Sequence, residues 1–336
     1  MTNRPHDHDH GAGGHASHSH GVVADADRRW LAIALTLITS FMAIEVVVGV
    51  VAGSLALISD AAHMLTDAIS IVLALVAMRL SARPARGGFT YGLKRAEILS
   101  AQVNGLTLLL LGAWLAYEAV ERLLTPPEVA GGLMFYTALA GIVVNILAAG
   151  CISKANRTSL NVEGAYQHIL NDLFAFIGTA VAGLVVLLTG FVQADAIATL
   201  VVVGLMVKAG YGLVRESGRI FLEAAPVDLD PDVIGDRLVS LREVTEVHDL
   251  HVWTITSGEP ALSAHVLVAQ DADCHTVRQD LEKILQGEYG VSHSTLQVDH
   301  APPATLDVSR YGVPEPEPAH CAAAHGPVHR DEAHAH

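Results

Sequence analysis

HMLTDAISIVLALVAM at 63–78 and HILNDLFAFIGTAVAGLVVLLT at 168–189 each set a histidine and an aspartate four residues apart at the head of an apolar run. The i, i+4 spacing puts both side chains on one face of a helix, one turn apart. With the apolar residues around them, these stretches reach the ~20 residues that cross a bilayer. Ionisable groups at membrane depth cost ~2.5 kcal/mol or more each on insertion scales and usually mark a transport path. Together the two faces offer His63, Asp67, His168 and Asp172. Two imidazoles and two carboxylates suit the tetrahedral preference of Zn²⁺ and cancel its charge in a low-dielectric setting. The competing reading is that each residue only ties helices together by hydrogen bonds; repetition of the same pair on two helices favours ligands.

Outward from these motifs, apolar stretches run at about 31–52, 56–78, 98–120, 132–152, 166–189 and 194–214, which predicts six transmembrane helices. The chain is 51% hydrophobic and only 16% charged, as a membrane protein is. Its net charge of −15 argues against nucleic acid as a partner. Basic residues gather on alternate sides: Arg28 and Arg29 before the first span, Arg79 to Arg95 in the second connection, Lys154 and Arg157 in the fourth, Arg215 and Arg219 after the sixth. By the positive-inside rule both termini are expected in the cytoplasm. The N-terminus has no signal-peptide pattern, so the first span is expected to drive insertion. Cys151, Cys274 and Cys321 show no paired spacing and imply neither a disulfide framework nor a cysteine zinc knuckle.

Residues 1–27 and 306–336 are rich in histidine and poor in apolar surface, which predicts disordered arms at both ends. Between the spans, taken as 28–222, and the tail lies a soluble pattern over 223–305. A helix is expected at 231–242, strands at 246–256 and 261–269 about a turn at 257–260, a helix at 274–286 and a strand at 291–299. The order αββαβ predicts a small α+β, ferredoxin-like cytoplasmic domain with two helices on one sheet face. Its small size makes a partner subunit a plausible source of stability. Within it His248 and His251 flank Asp249, His265 sits on the second strand, His275 opens the helix and Asp299 ends the last strand.

SLALISDAAHMLTDA at 54–68, YGLKRAEILSAQVNG at 91–105, the second HxxxD and HDLHVWTITSGEPALSAHV at 248–266 together resemble the cation diffusion facilitator family, in its bacterial zinc, cobalt and cadmium efflux branch. The resemblance spans about 28–300. It implies a homodimer, metal/proton antiport, and a transport site at His63, Asp67, His168 and Asp172. It also implies cytoplasmic metal sites, one from His248, His265 and Asp299 and another including His275. The family's short His-Gln-Asp run reads Gln297, Val298, Asp299 here, so the second site is expected to lack a ligand. Arg95 and Glu223 match an interdomain salt bridge of the family, against the alternative of two solvated charges.

Asp60, three residues before His63, and Glu45 in the first span either line the path as carboxylates or hydrogen-bond to neighbouring helices. Asn104 and Asn145 read as interhelical hydrogen-bond partners. The function expected is a secondary transporter exporting zinc in exchange for protons, with no organic cofactor; the alternative is a membrane sensor or receptor that binds metal without moving it. A metalloprotease would need HExxH and an ATP-driven pump a GxxxxGK[ST] loop, and the sequence has neither.

Overall fold

In a computed structural model the described residues are 20–52, 55–125, 131–301 and 326–330. The side chains of 20–26, 48, 49, 51, 52, 55–63, 66, 131, 133 and 134 lie outside that description. Six long helices come first: α1 (His20–Ala52), α2 (Leu55–Ser81), α3 (Ala96–Leu124), α4 (Gly131–Ile152), α5 (Leu160–Thr189) and α6 (Ala194–Phe221). Among the described residues, stretches of five of them, α1 and α3 to α6, are long and apolar enough to cross a membrane. The remaining helix, α2, is 27 residues long and carries Asp67. Large apolar side chains such as Leu110, Trp114, Tyr117 and Leu188 point outward, the arrangement of a protein solvated by lipid.

Two packing groups divide the helices. Leu31, Ile38, Met64, Ile71, Ile152 and Ile169 belong to one continuous cluster joining α1, α2, α4 and α5. Leu108 of α3 packs with Val202, Met206 and Leu213 of α6 in a second. Small residues bring the backbones of α3 and α6 together, because lipid tails supply no hydrophobic drive and close van der Waals contact must do so. A Cβ at Gly105 would sit 3.0 Å from the Gly210 carbonyl oxygen, and one at Gly210 would sit 2.9 Å from that of Gly105.

Polar groups inside the bundle find backbone partners. The Asn161 amide donates to the Ala74 carbonyl at 2.9 Å, crossing from α5 to α2. Asn145, expected to bridge helices, instead donates to Gly141 of its own helix at 3.1 Å. The reach of an asparagine suits the i−4 carbonyl, so no neighbour is required. Asp27, placed by composition in the N-terminal arm, is buried and accepts from the Asn156 N–H at 2.8 Å. That bond fastens α1 to the α4–α5 connection, and α1 accordingly begins at His20, inside the segment expected to lack structure.

The domain after α6 comprises α7 (Pro231–Val239), β1 (Val244–Thr256), β2 (Glu259–Val268), α8 (Cys274–Tyr289), β3 (His293–His300) and a short β4 (His329–Arg330). The strand order is β3-β2-β1-β4, with β1 antiparallel to β2 and β4, and β3 parallel to β2 across the α8 connection. Ile234 and Leu238 of α7 and Leu281 and Leu285 of α8 pack against Val247, Leu262 and Val266 of the sheet. Both helices therefore cover one face, as the alternation along the strands requires. The tail, expected to be structureless, contributes β4 to the open edge of β1.

Gly105→Leu is expected to destabilise the bundle by about 1–3 kcal/mol through overpacking against Gly210. The check is the melting temperature of the detergent-solubilised protein; an unchanged value would show that α3 and α6 do not pack this closely.

Candidate metal centre

Asp67 on α2 and His168 and Asp172 on α5 converge, with one ligand atom from each lying within 4.8 Å of the others. Nε2 of His168 and Oδ1 of Asp67 are 2.8 Å apart, a hydrogen bond between helices 101 residues apart in sequence. His168 is 2% exposed, and its Nδ1 is buried with no hydrogen-bond partner among the described residues. A buried, unsatisfied ring nitrogen costs about 1–3 kcal/mol, which a ligand would offset. His63 lies one helical turn before Asp67 on α2, and Asp60 a turn earlier; both side chains fall outside the described residues. Glu45 is buried on α1.

A cavity of about 200 Å³ holds the three residues, walled by Met64 of α2, Leu111 and Leu115 of α3, and Thr199 and Met206 of α6. Asn171 also lines it and is 5% exposed, with its Nδ2 unpaired among the described residues. The HxxxD spacing did not single it out; its place beside Asp172 on a helix already carrying two polar groups was the available signal. Asn104 is buried at 1% exposure on α3, close to Gly164 of α5, with its Nδ2 likewise unpaired among the described residues.

In the cytoplasmic domain a second group forms from His248, Asp249 and His265. His248 and His265 are direct cross-strand partners, their rings edge to face with centroids 5.4 Å apart. Asp249 joins them through a bulge. The register slips between His248 and His251, and Asp249 takes a left-handed φ of 49°. An aspartate tolerates this region better than most residues, and a bulge re-aims side chains in this way. As a result the Asp249 carboxylate comes 3.4 Å from Nδ1 of His265.

Asp299, carried over with His248 and His265, is outside this group. It pairs in register with Leu267, two residues along from His265 and therefore on the same face of the sheet, and accepts from Gln297 at 2.9 Å. His275 is exposed at the start of α8, where its N–H donates to Asp273 at 3.1 Å. Bonds from the Thr276 hydroxyl and the His275 N–H hold the Asp273 carboxyl below its usual range. His293 packs edge-on against Tyr91 of the α2–α3 connection, and His300 contacts the Ala272 carbonyl at 3.0 Å.

Arg95 and Glu223 stand 3.5 Å apart at the junction of the two regions. Glu223 has φ 58° and occupies the position after α6 that glycine usually takes. Its N–H bonds to Ile220 and that of Ala224 to Arg219, the paired pattern that closes a helix C-terminus. Having glutamate there costs roughly 1–2 kcal/mol and aims a carboxylate at Arg95.

A helical membrane domain with a buried His/Asp cluster, followed by a small mixed-sheet domain, defines a metal-handling membrane protein. The model of the cation efflux transmembrane domain matches residues 30–222, and that of the cation efflux cytoplasmic domain matches 226–301. The chain belongs to the cation efflux family. It is similar to a cadmium, cobalt and zinc/H(+)-K(+) antiporter of Bacillus velezensis, 36% identical over 84% of this chain and 92% of that protein. The metal cation efflux system protein CzcD of Cupriavidus metallidurans is 36% identical over 88% of this chain and 94% of its own length. The zinc transporter ZitB of Escherichia coli is 35% identical, covering 85% and 93%.

Asp67→Ala and Asp172→Ala are each expected to reduce zinc flux to background in protein that still inserts, because one lost anion leaves Zn²⁺ undercharged at membrane depth. Zinc uptake into inside-out vesicles checks this; a normal rate in either variant removes that residue from the site.

Proposed function

We propose that this chain is a secondary transporter that exports zinc, and with it cobalt and cadmium, from the cytoplasm in exchange for protons. The observation that carries the reading is the buried cluster of Asp67, His168 and Asp172 in a cavity of the membrane domain. Transport of zinc or metal cations in the names of the relatives supports an efflux protein over a sensor that does not move its ligand.

His63, one turn from Asp67, completes a four-ligand set in this reading. Zinc binding requires deprotonated ligands, so metal and protons compete for the same nitrogen and oxygen atoms. The Asp67–His168 hydrogen bond is the contact that competition acts on: the proton shared there must leave before both groups can face a cation. When zinc departs, protons restore the neutrality that an emptied pair of carboxylates would otherwise lose in a low-dielectric cavity. No ATP is consumed; the gradient supplies the energy.

The finer architecture in this reading is six spans, with α2 as the sixth, in the inner membrane, both termini in the cytoplasm. The domain after α6 is ferredoxin-like and joins a partner copy in a homodimer, which the description of the matching cytoplasmic family accommodates. Its His248 and His265, with Asp249 and Asp299, bind metal at one site and His275 serves a second, and Arg95 with Glu223 steadies the junction. The His-rich N- and C-terminal arms gather metal loosely in this reading; residues 1–19 of the first, and 306–325 and 331–336 of the second, lie outside the described residues. Asp60 and Glu45 are carboxylates of the path. Purified protein in vesicles with a pH-sensitive dye inside tests the whole: zinc entry is expected to drive protons outward, and zinc flux without proton movement would refute exchange.

Replacing His63 with aspartate is expected to preserve transport and raise the cadmium-to-zinc rate ratio several-fold. The change adds an anion and a harder oxygen ligand, whereas imidazole nitrogen favours zinc at ~2.0 Å. Initial rates for both metals give the answer; an unchanged ratio in an active variant shows that His63 does not set the choice of metal.

Deleting residues 1–20 is expected to slow transport at low zinc while leaving it intact at saturating zinc. Loss of flux at every zinc concentration in an inserted truncation would make the arm part of the path.

A further inference from the structure

A second opening, a groove of about 450 Å³, runs between α5 and α6 on the side of the metal cavity nearer the cytoplasmic domain. It starts at Leu160, whose N–H bonds to Ser257 of that domain, and reaches Phe174 and Leu205 within the membrane helices. Leu170, Phe174, Leu205 and Leu213 give it an apolar wall, and Phe174 and Leu205 are exposed, so the groove opens sideways to lipid. Three charges are set into this wall. Glu163 is already paired, accepting from Arg157 at 2.9 Å and from Gln167 at 2.6 Å. Lys208, exposed, and Glu216, half-buried, line the groove from α6 and have no ion-pair or hydrogen-bond partner among the described residues. Lys208 lies two turns of α6, ~12 Å, deeper in the membrane than Glu216. A lysine on the lipid face of a span is costly unless it meets an anion or reaches the interface. Asn171 lines the groove and the metal cavity alike, so whatever fills one is a single side chain from the other.

We propose that the α5–α6 groove binds one phospholipid whose headgroup ends in a primary ammonium. The order of the charges selects that class. In the leaflet nearer the cytoplasmic domain, a lipid carries its acyl chains deepest, then its phosphate, then the amine at the surface. Lys208, turning its ammonium toward the interface as long basic side chains do, meets the phosphate. Glu216 meets the amine. Phe174 and Leu205 stand deeper, where the acyl chains pass. Both ion pairs form at the edge of the bilayer with their hydrogen bonds charge-assisted, the stronger kind. An anionic headgroup would satisfy Lys208 and leave Glu216 without a cation, and a choline headgroup has no N–H to donate to it. A bare divalent cation would suit Glu216 but is repelled by Lys208. Through Asn171 the seated lipid backs the wall of the metal cavity without supplying a ligand to it.

The test titrates the full chain in detergent with phosphatidylethanolamine, phosphatidylcholine and phosphatidylglycerol of the same acyl chains, and counts bound lipids by native mass spectrometry. It reads lipid binding alone, so its outcome is separate from that of the transport reading. Phosphatidylethanolamine is expected to bind first and about tenfold more tightly than either of the others. Lys208→Leu, which suits a lipid-facing position, is expected to remove that advantage, and Lys208→Arg to keep it. Glu216→Gln is expected to make phosphatidylethanolamine and phosphatidylcholine equal. A phosphatidylethanolamine with a photoreactive acyl chain is expected to label the peptides holding Phe174 and Leu205, and to do so less in Lys208→Leu. Equal affinities for the three lipids, or a phosphatidylethanolamine affinity unchanged by Lys208→Leu, overturn the proposal. A preference for phosphatidylglycerol overturns the assignment of an ammonium headgroup, and labelling confined to other helices overturns the location. Disulfide cross-linking of two copies through Leu205→Cys seats a second copy in the groove and overturns the lipid.

Discussion

The hydrogen bond between His168 and Asp67, 2.8 Å long and shut away from solvent, is the contact on which the membrane domain depends. Neither partner is tolerable alone at that depth, and each makes the other affordable. Because one partner rides on α2 and the other on α5, the pair fixes the relative height and rotation of two helices distant in sequence. The apolar cluster around it follows. Met64 and Ile71 of α2 and Val162 and Ile169 of α5 lie within a turn or two of the polar pair and are almost fully buried. Asn161, two turns earlier on the same face of α5, repeats the connection by donating to Ala74 of α2.

The same helix α5 is also where the cytoplasmic domain makes contact. Its first residue, Leu160, donates its N–H to the Ser257 hydroxyl at 3.1 Å, while Ser159 makes no side-chain cap of its own. The turn between β1 and β2 therefore serves as a cap supplied from another domain, satisfying one of the donors that every helix N-terminus leaves open. Beside it Lys94 pairs with Glu259, and the Thr256 hydroxyl donates to the Lys94 carbonyl at 3.3 Å. The β1–β2 hairpin that carries His248 and His265 at one end thus touches, at the other, the start of α5 and the approach to α3. Ion pairs this exposed contribute little to stability each, so their value lies in fixing position.

Helical periodicity made much of this legible. The two HxxxD pairs announced themselves because a 3.6-residue repeat turns a four-residue spacing into adjacency, and the strands around Ser257 and Gly258 followed from alternation. What stayed hidden needed a third dimension or a broken rule. Asp249 lies between two histidines and would point away from His248 in a regular strand; only the bulge turns it toward His265. Asp299, by contrast, is legible from regular pairing, which places it on the same face as His265. Glu223 violates the preference for glycine after a helix, and composition hid β4, whose two residues gain their order from a socket on α7 rather than from any propensity of their own. Asp27 belongs with them: a lone acid in a polar arm acquires a role only when Asn156 is brought to it.

The close packing of α3 on α6, which α5 joins through Ala175, bears on how the buried cluster is enclosed. Gly105 and Gly210 bring these two helices into backbone contact in the half nearer the cytoplasmic domain. Leu111 and Leu115 of α3, with Thr199 and Val202 of α6, lie further from that domain and wall the cavity holding Asp67, His168 and Asp172. The α3–α6 pair is therefore tightly joined near the cytoplasmic domain and walls the cavity beyond it. Asp67, His168 and Asp172 reach that cavity from α2 and α5, whose apolar residues pack in the other cluster, so the three polar groups sit where the two packing groups meet.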